Sequence, residues 1–357
     1  MKTTGIEWVT HSPSPYNDHL FATLHRRLPF PLMVHYRYPA HESYPWKTPL
    51  RQGYPSRVYE RNFGIDWHLL RELRKPGKMF ITSSWEDATS ELAIIECAAR
   101  GQRYMTFNDT PNPYKVRPWW KERGRAAFLR FAFRHAWRVM GTGTPALREL
   151  ERMGCPREKL VDFPYCIDTS RYRFSPPAGA TPIRFVSSGR LIADKGYEIA
   201  LRALARVFEG RTGAFHYAIA GGGPDRDRLA RLTAELGIAE SVTFEGWLEP
   251  GAVPVFLEGR HFFLHPARFE PYGVAILEAM ASGALVIASA GAAAAVDCGA
   301  EDAFLHQAGD AESLAAAMRA AIALGDHERF AKAARARQWL EQRSANRAAN
   351  LVTEAVQ

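Results

Sequence analysis

Short apolar runs alternate with longer amphipathic segments along the first half of the chain, and this alternation predicts strands and helices in turn. Strands are predicted for five runs, GIEWVTH, KMFITSS, RYMTFND, WRVMGTG and LVDFPY. Helices are predicted for TSELAIIECAARG and TPALRELERMG, each of which ends in a glycine. Because strands that alternate with helices form parallel sheets covered by helices, the first half is predicted to be an α/β domain.

The alternation restarts after residue 182 and predicts a second parallel sheet. Strands are predicted for IRFVSSGR, FHYAIAGGG, VTFEGW, FFLHP and LVIAS, and helices for GYEIALRALARVFEG and DRLARLTAELG. Residues 168–182 are rich in proline, serine, threonine, glycine and alanine without a clear period, which is typical of a linker. We therefore expect one domain over 1–167 and another over 183–335, with a helix over 336–357 that packs back on the first domain.

The stretch HPARFEPYGVAILEAMASGALVIA, residues 265–288, carries the most specific chemistry. It places Glu270 and Glu278 eight positions apart, on either side of a Pro-Tyr-Gly turn that opens a helix. The N–H groups and positive dipole end of a helix start attract phosphate, and carboxylates accept hydrogen bonds from sugar and ribose hydroxyls. The stretch therefore suits a sugar-phosphate ligand. The alternative is a pair of surface acids that flank a core helix.

Two cations, Arg190 and Lys195, follow the strand IRFVSS, and Gly196 comes just before the next helix. Two cations above a strand end can clamp a diphosphate, the arginine as a planar fork and the lysine as a point charge. Solvated surface charge is the simpler alternative. Open parallel sheets bind ligands at the carboxyl ends of their strands, so the position favours the diphosphate.

Two further motifs of the second half are less specific. In AGGGPDRDRL the three glycines suit either a phosphate loop or a tight turn, and no lysine followed by serine or threonine comes next. Asp225 and Asp227 favour the dipole of a helix start over a metal ion. In VTFEGW the strand ends at Gly246 and Trp247, where the indole either stacks on a nucleobase or caps the domain edge.

Taken in order, GRLIADKG, AGGGPDRDRL, VTFEGW and HPARFEPYGVAILEAMASGALVIAS resemble the retaining glycosyltransferases of the GT-B fold, specifically glycosyltransferase family 4. The resemblance covers residues 183–322 closely, and the first half only in its layout, which is similar to that of polysaccharide- and glycolipid-assembly members. It implies two Rossmann-like parallel-sheet domains that face a central cleft, with the first binding the acceptor and the second the nucleotide-sugar.

The resemblance also implies a role for each matching residue of the second half. Arg190 and Lys195 would neutralise the diphosphate. Glu278 would bind the ribose hydroxyls, and Glu270 the hydroxyls of the donor sugar. The remaining nucleotide contacts would come from residues around the helix start and the base: Gly273, Val274, Tyr272, Gly246 and Trp247. The family needs no metal and no cofactor beyond the donor substrate, and the leaving diphosphate helps to deprotonate the attacking hydroxyl.

The first half departs from the family pattern. Asn108 stands where relatives carry a histidine after a strand, and a neutral amide orients a sugar but transfers no proton. His11, Ser12 and Asp109 are the other candidates on the acceptor side, although a lone histidine is more often structural. Asn108 therefore either orients the donor or marks a misplaced alignment of this half.

Composition and charge indicate in which cellular compartment the protein is expected. The chain of 357 residues has a net charge of +8, which favours anionic partners. No apolar run reaches the length of a membrane span, and the N-terminus lacks the apolar region of a signal peptide. The four cysteines are scattered, as in a reduced protein without a zinc site. These features predict a cytoplasmic protein.

Residues 115–140 are rich in basic and aromatic side chains. Between residues 115 and 138 the only acidic residue is Glu122. Residues 123–140 are predicted to be a helix with Arg130, Arg134 and Arg138 on one face. Such a segment is typical of attachment to an anionic membrane surface, here the inner face of the membrane. A helix packed on the sheet with a solvated basic face is the alternative.

The leading prediction is a retaining, metal-independent glycosyltransferase that moves a hexose from a UDP- or GDP-linked donor to a glycan, lipid-linked or small-molecule acceptor. The first alternative is a catalytically weak protein of the same fold that binds sugar nucleotides. A binder of anionic polymers is the second alternative. The sequence has no RNP, KH or zinc pattern, so nucleic acid is not expected as a partner.

Overall fold

Two parallel β-sheets with helices on their faces make up the computed structural model of the chain. The first unit is Met1–Ile167 with Arg343–Gln357, and the second is Asp168–Gln342. The described residues are 3–40, 45–47, 50–83, 85, 87–179, 181–211, 213–299 and 301–356. Within these ranges every strand pair of the two sheets is parallel, which confirms the predicted α/β class with two Rossmann-like sheets.

Seven strands form the sheet of the first unit. Its elements are β1 (Gly5–Thr10), α1 (Pro15–Arg27), β2 (Leu32–Tyr36), β3 (Ser56–Val58), α2 (Trp67–Leu73), β4 (Lys78–Thr82), α3 (Ala88–Ala99), β5 (Tyr104–Asn108), α4 (Trp119–His135), β6 (Arg138–Gly141), α5 (Gly143–Arg152), β7 (Leu160–Asp162) and, at the C-terminus, α13 (Ala345–Val356). The strand order is β3-β2-β1-β4-β5-β6-β7, so the direction of winding reverses between β1 and β4.

Six strands form the sheet of the second unit. Its elements are β8 (Ile183–Ser188), α6 (Tyr197–Val207), β9 (Phe215–Ala220), α7 (Arg226–Glu235), β10 (Val242–Gly246), α8 (Val253–Leu257), β11 (Phe262–His265), α9 (Val274–Ser282), β12 (Leu285–Ser289), α10 (Ala293–Cys298), β13 (Ala303–His306), α11 (Ala311–Ile322) and α12 (Asp326–Gln342). The order β10-β9-β8-β11-β12-β13 reverses between β8 and β11.

The C-terminal segment is two helices, α12 and α13, where the sequence predicts one helix over 336–357. The second, α13, packs against α1 of the first unit. Its buried residues recur at helical spacing, which gives an apolar stripe that covers the core of β1 and β2. They are Ala345, Ala348, Ala349, Val352 and Val356.

Residues 168–182, for which composition predicts a linker, belong to the second unit. Two hydrogen bonds of Ser175 attach this segment to the rest of the second unit. The Ser175 N–H donates to the Ser282 carbonyl oxygen at 3.0 Å, and the Ser175 Oγ accepts from the Gly259 N–H at 3.3 Å. Individual hydrogen bonds, rather than a buried apolar face, attach this segment to the second unit. Its sequence therefore shows no regular spacing of hydrophobic residues.

The helix predicted over 123–140 is wrong at both ends. The structure begins α4 at Trp119, and the backbone leaves the helix at Ala136 (ψ 141°). Arg138 and Met140 lie on β6, where Met140 is buried. The helical spacing of Leu129, Phe133 and Met140 also suggested one long apolar face, but these residues belong to a helix and the following strand. Among the described residues, no helix is long and apolar enough to span a bilayer.

Candidate functional site

The candidate site lies at the carboxyl ends of β8 and β11, the strands at which the second sheet reverses its winding. The two strands are paired directly, with Phe262 beside Phe185 and Phe263 beside Val186. Loops that leave adjacent strands in opposite directions open a crevice at this point. Arg190 and Lys195 follow β8, and Glu270 follows β11, so the sheet brings these predicted residues together.

Glycines allow the loops after β8 and β9 to pack backbone against backbone. The Leu191 N–H donates to the Gly222 oxygen at 2.8 Å, and the Gly189 N–H donates to the Ala220 oxygen at 2.9 Å. A Cβ atom on Gly221 would overlap the Gly189 carbonyl, whereas a Cβ on Gly222 would meet no heavy atom within 4 Å. The triple glycine thus supports the tight-turn interpretation over a phosphate loop.

A second glycine contact fixes the loop that carries Lys195. Gly196 has a φ of 69°, a left-handed conformation that glycine adopts without strain. A Cβ there would overlap the carbonyl of Pro266, and the Arg268 N–H donates to the Asp194 oxygen at 2.9 Å. The β8 loop is therefore docked on the segment that leads from β11 to Glu270.

The Glu270 carboxylate has two nitrogen partners at one oxygen. Lys195 Nζ donates to Oε2, and His265 Nε2 lies 3.2 Å from the same atom. Its backbone is fixed as well, because the Glu270 N–H donates to the Gly291 oxygen at 2.9 Å. Burial alone would raise the pKa of Glu270, but the His265 hydrogen bond and the Lys195 charge outweigh it and lower the pKa to about 2.

His265 is a site residue that sequence reasoning missed. It is the last residue of β11 and is 5% exposed, and burial lowers the pKa of its imidazole. A neutral imidazole donates from Nε2 when that nitrogen carries the proton, so His265 orients Glu270 without adding a full charge. The signal was present in the sequence, because His265 opens the motif that contains both glutamates.

The helix start between the two glutamates has the geometry expected for a phosphate site. Gly273 has a φ of 103°, and a Cβ there would come within 2.9 Å of Ile276 Cδ1. The positive φ turns the chain sharply into α9. The Ile276 N–H donates to the Gly273 oxygen at 2.9 Å, and the amides that precede it, Val274 and Ala275, are the helix-start N–H groups that have no intrahelical acceptor. Unpaired N–H groups at a helix start can bind an anion.

Glu278 lies one turn further along α9 in a different environment. Its Oε1 accepts a hydrogen bond of 2.9 Å from the phenol of Tyr172, a second residue that the sequence did not indicate. Burial raises the pKa of Glu278 to about 7, against the opposing effects of Tyr172 and the Arg171 charge. The two glutamates of one motif therefore have pKa values on opposite sides of the ordinary glutamate range.

The remaining predicted residues of the second unit lie around this centre. Trp247 follows β10, two strands from β8 and hence about 10 Å away, and its Nε1 donates to Glu249 Oε1 at 3.1 Å. Gly246 has a φ of 72°, and its carbonyl accepts from the Gly221 N–H at 2.7 Å. Tyr272 is only 2% exposed, so its ring packs inside the unit.

The acceptor-side residues lie at strand ends of the first sheet. His11 is exposed after β1, with Nδ1 3.1 Å from the Oγ of the buried Ser12. Asn108 ends β5 and is 7% exposed, with Nδ2 donating to Thr106 Oγ1 at 3.1 Å. Asp109 follows and is exposed. Because β4 lies between β1 and β5, the two groups are about 10 Å apart.

Asp225 and Asp227 each have an arginine partner. Asp225 Oδ2 lies 3.0 Å from Arg228, and Asp227 Oδ1 lies 3.4 Å from Arg226. In the part of the chain that the structure describes, no three histidine, cysteine, aspartate or glutamate side chains form a group that could hold a metal ion.

Known proteins match part of the chain in sequence. Residues 168–337 match the family described as glycosyl transferases group 1. The chain is 33% identical over 147 residues to WcaL of Escherichia coli (strain K12), provisionally assigned as a colanic acid biosynthesis glycosyltransferase, across 39% of this chain and 36% of that protein. It is 31% identical over 150 residues to the GDP-mannose-dependent alpha-(1-6)-phosphatidylinositol monomannoside mannosyltransferase of Mycolicibacterium smegmatis, across 37% and 39%. The chain thus spans well under half the length of the curated relatives it matches.

Solved structures match the chain over nearly its whole length. The crystal structure of Anabaena Alr3699/HepE in complex with UDP has a TM-score of 0.75 and 18% identity, and the match covers 100% of this chain and 99% of that one. WaaG, a glycosyltransferase involved in lipopolysaccharide biosynthesis, has a TM-score of 0.61 and 16% identity, with 98% and 99% covered. At these identities the likeness concerns the fold, which is of the GT-B type. Residues 168–337 are a group 1 glycosyl transferase domain.

The glycine contacts predict a sharp difference between neighbouring positions. Gly221→Ala forces a Cβ onto the Gly189 carbonyl and is expected to lower the free energy of unfolding by about 2 kcal/mol or more. Gly222→Ala, the matched control, points into open space and is expected to change it by less than about 0.5 kcal/mol. Denaturant unfolding measures both, and equal losses at the two positions would contradict the packing described here.

The raised pKa of Glu278 predicts a pH-dependent stability. A carboxyl whose folded-state pKa is raised stabilises the fold fully below its unfolded pKa, near 4.5, and loses this contribution as the pH rises through about 7. Glu278→Gln stays neutral at every pH. At pH 8.5 the ligand-free variant is therefore expected to melt several degrees above the unsubstituted protein, because each kcal/mol of unfolding free energy shifts the melting temperature by about 2–4 °C. The difference should vanish near pH 5.

Thermal melts at the two pH values test this expectation. Glu240→Gln, at an exposed glutamate of the same unit, is the control and should show no such pH-dependent gain. A Glu278→Gln variant that is less stable at pH 8.5 would show that the carboxylate is stabilised in the fold and would refute the assignment.

Proposed function

We propose that this chain, whose residues 168–337 form a group 1 glycosyl transferase domain on a GT-B fold, is a retaining, metal-independent hexosyltransferase. It moves a hexose from a nucleotide-sugar to a hydroxyl of an acceptor. The observation that carries the proposal is the arrangement at one end of the second sheet. A lysine-paired glutamate, a helix start and a second, partly buried glutamate follow each other along Glu270–Glu278.

The diphosphate of the donor would bind between two kinds of positive group. Lys195 and Arg190 follow β8, and the N–H groups at Gly273 and Val274 open α9. Side-chain cations and amide dipoles fixed before the reaction stabilise the charge that develops on a leaving diphosphate. These groups supply positive charge from the protein itself, which supports a reaction that needs no metal.

The two carboxylates would hold opposite ends of the donor. Glu270 has a pKa of about 2, so it is ionised at every physiological pH and accepts hydrogen bonds from sugar hydroxyls. Glu278, one turn into α9, would accept both hydroxyls of the ribose. A cis-diol offers two adjacent O–H donors that match the two oxygens of a carboxylate.

UDP- and GDP-linked hexoses are both compatible with this arrangement. A relative in Mycolicibacterium smegmatis is GDP-mannose-dependent, and the similar HepE structures contain UDP and glucose. Trp247, which follows β10, would offer its indole to either base. The acceptor is proposed to be a glycan or lipid-linked saccharide that contacts His11, Ser12, Asn108 and Asp109.

An exposed basic aromatic face on the first unit supports a membrane-associated acceptor. We define this face by its apolar residues, of which Val116 is 94% exposed and Trp119 74% exposed, and by the basic residues around them. The exposed apolar members are Tyr114, Val116, Trp119, Trp120 and Phe131, and the exposed basic members are Lys115, Lys121, Arg123, Arg130 and Arg134. Exposed tryptophan beside arginine suits the interface of an anionic bilayer at the inner membrane face.

The experiments below also test two other functions. A catalytically weak binder of sugar nucleotides is motivated by Asn108, an amide at the position where related enzymes carry a histidine. A binder of anionic polymers is motivated by the basic aromatic face.

The proposal is tested first by nucleotide binding. Thermal shift with UDP-, GDP-, ADP- and dTDP-sugars is expected to reveal one stabilising base, because a ligand that binds only the folded state stabilises it by mass action. NMR of the product made from that donor should then show the anomeric configuration of the donor. Inversion of the anomer would refute retention.

Glu270→Gln separates transfer from nucleotide binding. Loss of the charge that contacts the donor sugar is expected to lower kcat by about 10²–10³, while the Kd for the nucleoside diphosphate stays within about threefold. Asp227→Asn, at an exposed acid on α7, is the control and should leave both unchanged. Unchanged turnover in Glu270→Gln would remove the assigned role, and a stable binder without any transfer activity would favour the silent alternative.

The membrane association is tested by vesicle flotation. The protein should float with phosphatidylglycerol vesicles and not with phosphatidylcholine vesicles. Trp119→Ala with Trp120→Ala, and separately Arg123→Glu with Arg134→Glu, should abolish recovery. Arg148→Glu with Arg231→Glu makes the same charge change at exposed positions elsewhere and should retain it. Equal recovery with both vesicles, or equal loss in the charge-matched control, would overturn the assignment.

A further inference from the structure

The segment that begins the second unit lies against α9. The Arg171 guanidinium donates to the Pro250 oxygen at 2.9 Å, and the Arg337 guanidinium donates to the Thr169 oxygen at 3.2 Å. A Cβ on Gly283 at the end of α9 would come within 2.8 Å of Pro176 Cδ. The segment is therefore fixed on both sides of Tyr172.

Tyr172 is buried within this fixed segment and directs its phenol at Glu278. The residue is 7% exposed, and its hydroxyl donates to Glu278 Oε1 at 2.9 Å. Burial and the adjacent Glu278 charge raise the pKa of Tyr172, so the phenol keeps its proton and acts as a donor. The phenol is the hydrogen-bond donor to the Glu278 carboxylate, and Arg171 acts on that carboxylate through its charge.

We propose that Tyr172 is a positioning residue for the nucleotide site: its phenol fixes Oε1 of Glu278 and so turns the carboxylate toward the ribose hydroxyls. This inference rests on the proposed function of Glu278. A glutamate on a helix has three rotatable side-chain bonds, and fixing one oxygen removes most of this freedom before the ligand arrives. The hydrogen bond also favours the charged form that a ribose diol needs.

The surroundings of Glu278 allow a clear pH experiment. Tyr172 and Arg171 are the groups that act on its titration from the segment. Among the elements that pack on α9, α12 carries Arg337, which donates to the Ala281 oxygen. Helix α10 carries Asp297 and Cys298, and strand β11 ends at His265. The apolar α8 carries no titratable side chain. Replacing the phenol alone thus removes the hydrogen bond that lowers the pKa of Glu278 and leaves the other charged groups in place.

Tyr172→Phe keeps the ring and removes the hydroxyl. Calorimetric titration with the nucleoside diphosphate found by thermal shift is expected to show a Kd raised about tenfold at pH 7. The pH at which affinity reaches half its maximum should move upward, because the lost hydrogen bond favoured the charged carboxylate. In turnover, KM for the donor should rise while kcat stays within about twofold.

Tyr217→Phe is the matched control. Tyr217 is fully buried in β9, and its phenol shares a 2.7 Å hydrogen bond with Ser187, so the variant also loses one buried hydroxyl. It should lose stability without any change in the pH midpoint of nucleotide binding. An equal shift in both variants would reduce Tyr172 to a structural role.

A double-substitution cycle completes the test. If Tyr172 acts through Glu278, then Tyr172→Phe in a Glu278→Ala background, which has no acceptor for the phenol, should change the Kd by less than about twofold. A full tenfold effect in that background, or an unchanged Kd and pH midpoint in Tyr172→Phe alone while Glu278→Gln loses binding, would overturn the positioning role and leave the proposed function intact. If the unsubstituted protein binds no nucleotide, the proposed function itself fails.

Discussion

Backbone-to-backbone packing at the carboxyl ends of β8, β9 and β11 is the constraint on which the site of the second unit depends. Gly221 lies against Gly189, and Gly196 lies against Pro266, at distances that leave no space for a Cβ. This packing holds the loop after β8 on the segment after β11, and only then does Lys195 reach Glu270. The glycines therefore form the frame, and the charged side chains depend on it.

The two glutamates of the motif show how their partners set the charge of chemically identical groups. Both are partly buried, and burial raises the pKa of a carboxyl. Glu270 is compensated by an ammonium and an imidazole, so it remains ionised. Glu278 has a phenol as its hydrogen-bond partner, so its pKa rises to about 7. One site thus contains a permanent charge and a charge that titrates near neutrality.

The sequence allowed us to predict site residues that belong to one short motif or that directly follow a predicted strand. Spacing alone marked Glu270, Glu278, Arg190 and Lys195, and strand order then brought three of them to the same end of one sheet. Tyr172 could not be found in this way, because it lies 106 positions from Glu278 and within a segment that has no hydrophobic period.

The pattern of hydrophobic and polar residues also did not predict the short strands and helices. No element was predicted between residues 28 and 77, where the structure has β2, β3 and α2. Strand β3 has three partly exposed residues, too few for an alternation to develop, and α2 spans only two turns. The helix predicted over 123–140 was too long because apolar residues of α4 and β6 continue the same period across Ala136.

The charges described here also bear on the path of the proton in the proposed reaction. A retaining transfer must take a proton from the acceptor hydroxyl on the face from which the diphosphate departs. Glu270 is a poor base, since its low pKa reflects two nitrogen partners that stabilise the charged form. Asn108 is a neutral amide without a transferable proton. A departing diphosphate gains negative charge as the bond to the sugar breaks, so its oxygen becomes able to accept that proton. If Lys195 and Arg190 bind the diphosphate as proposed, they have to balance two demands, because they must stabilise the leaving group without removing its ability to accept that proton.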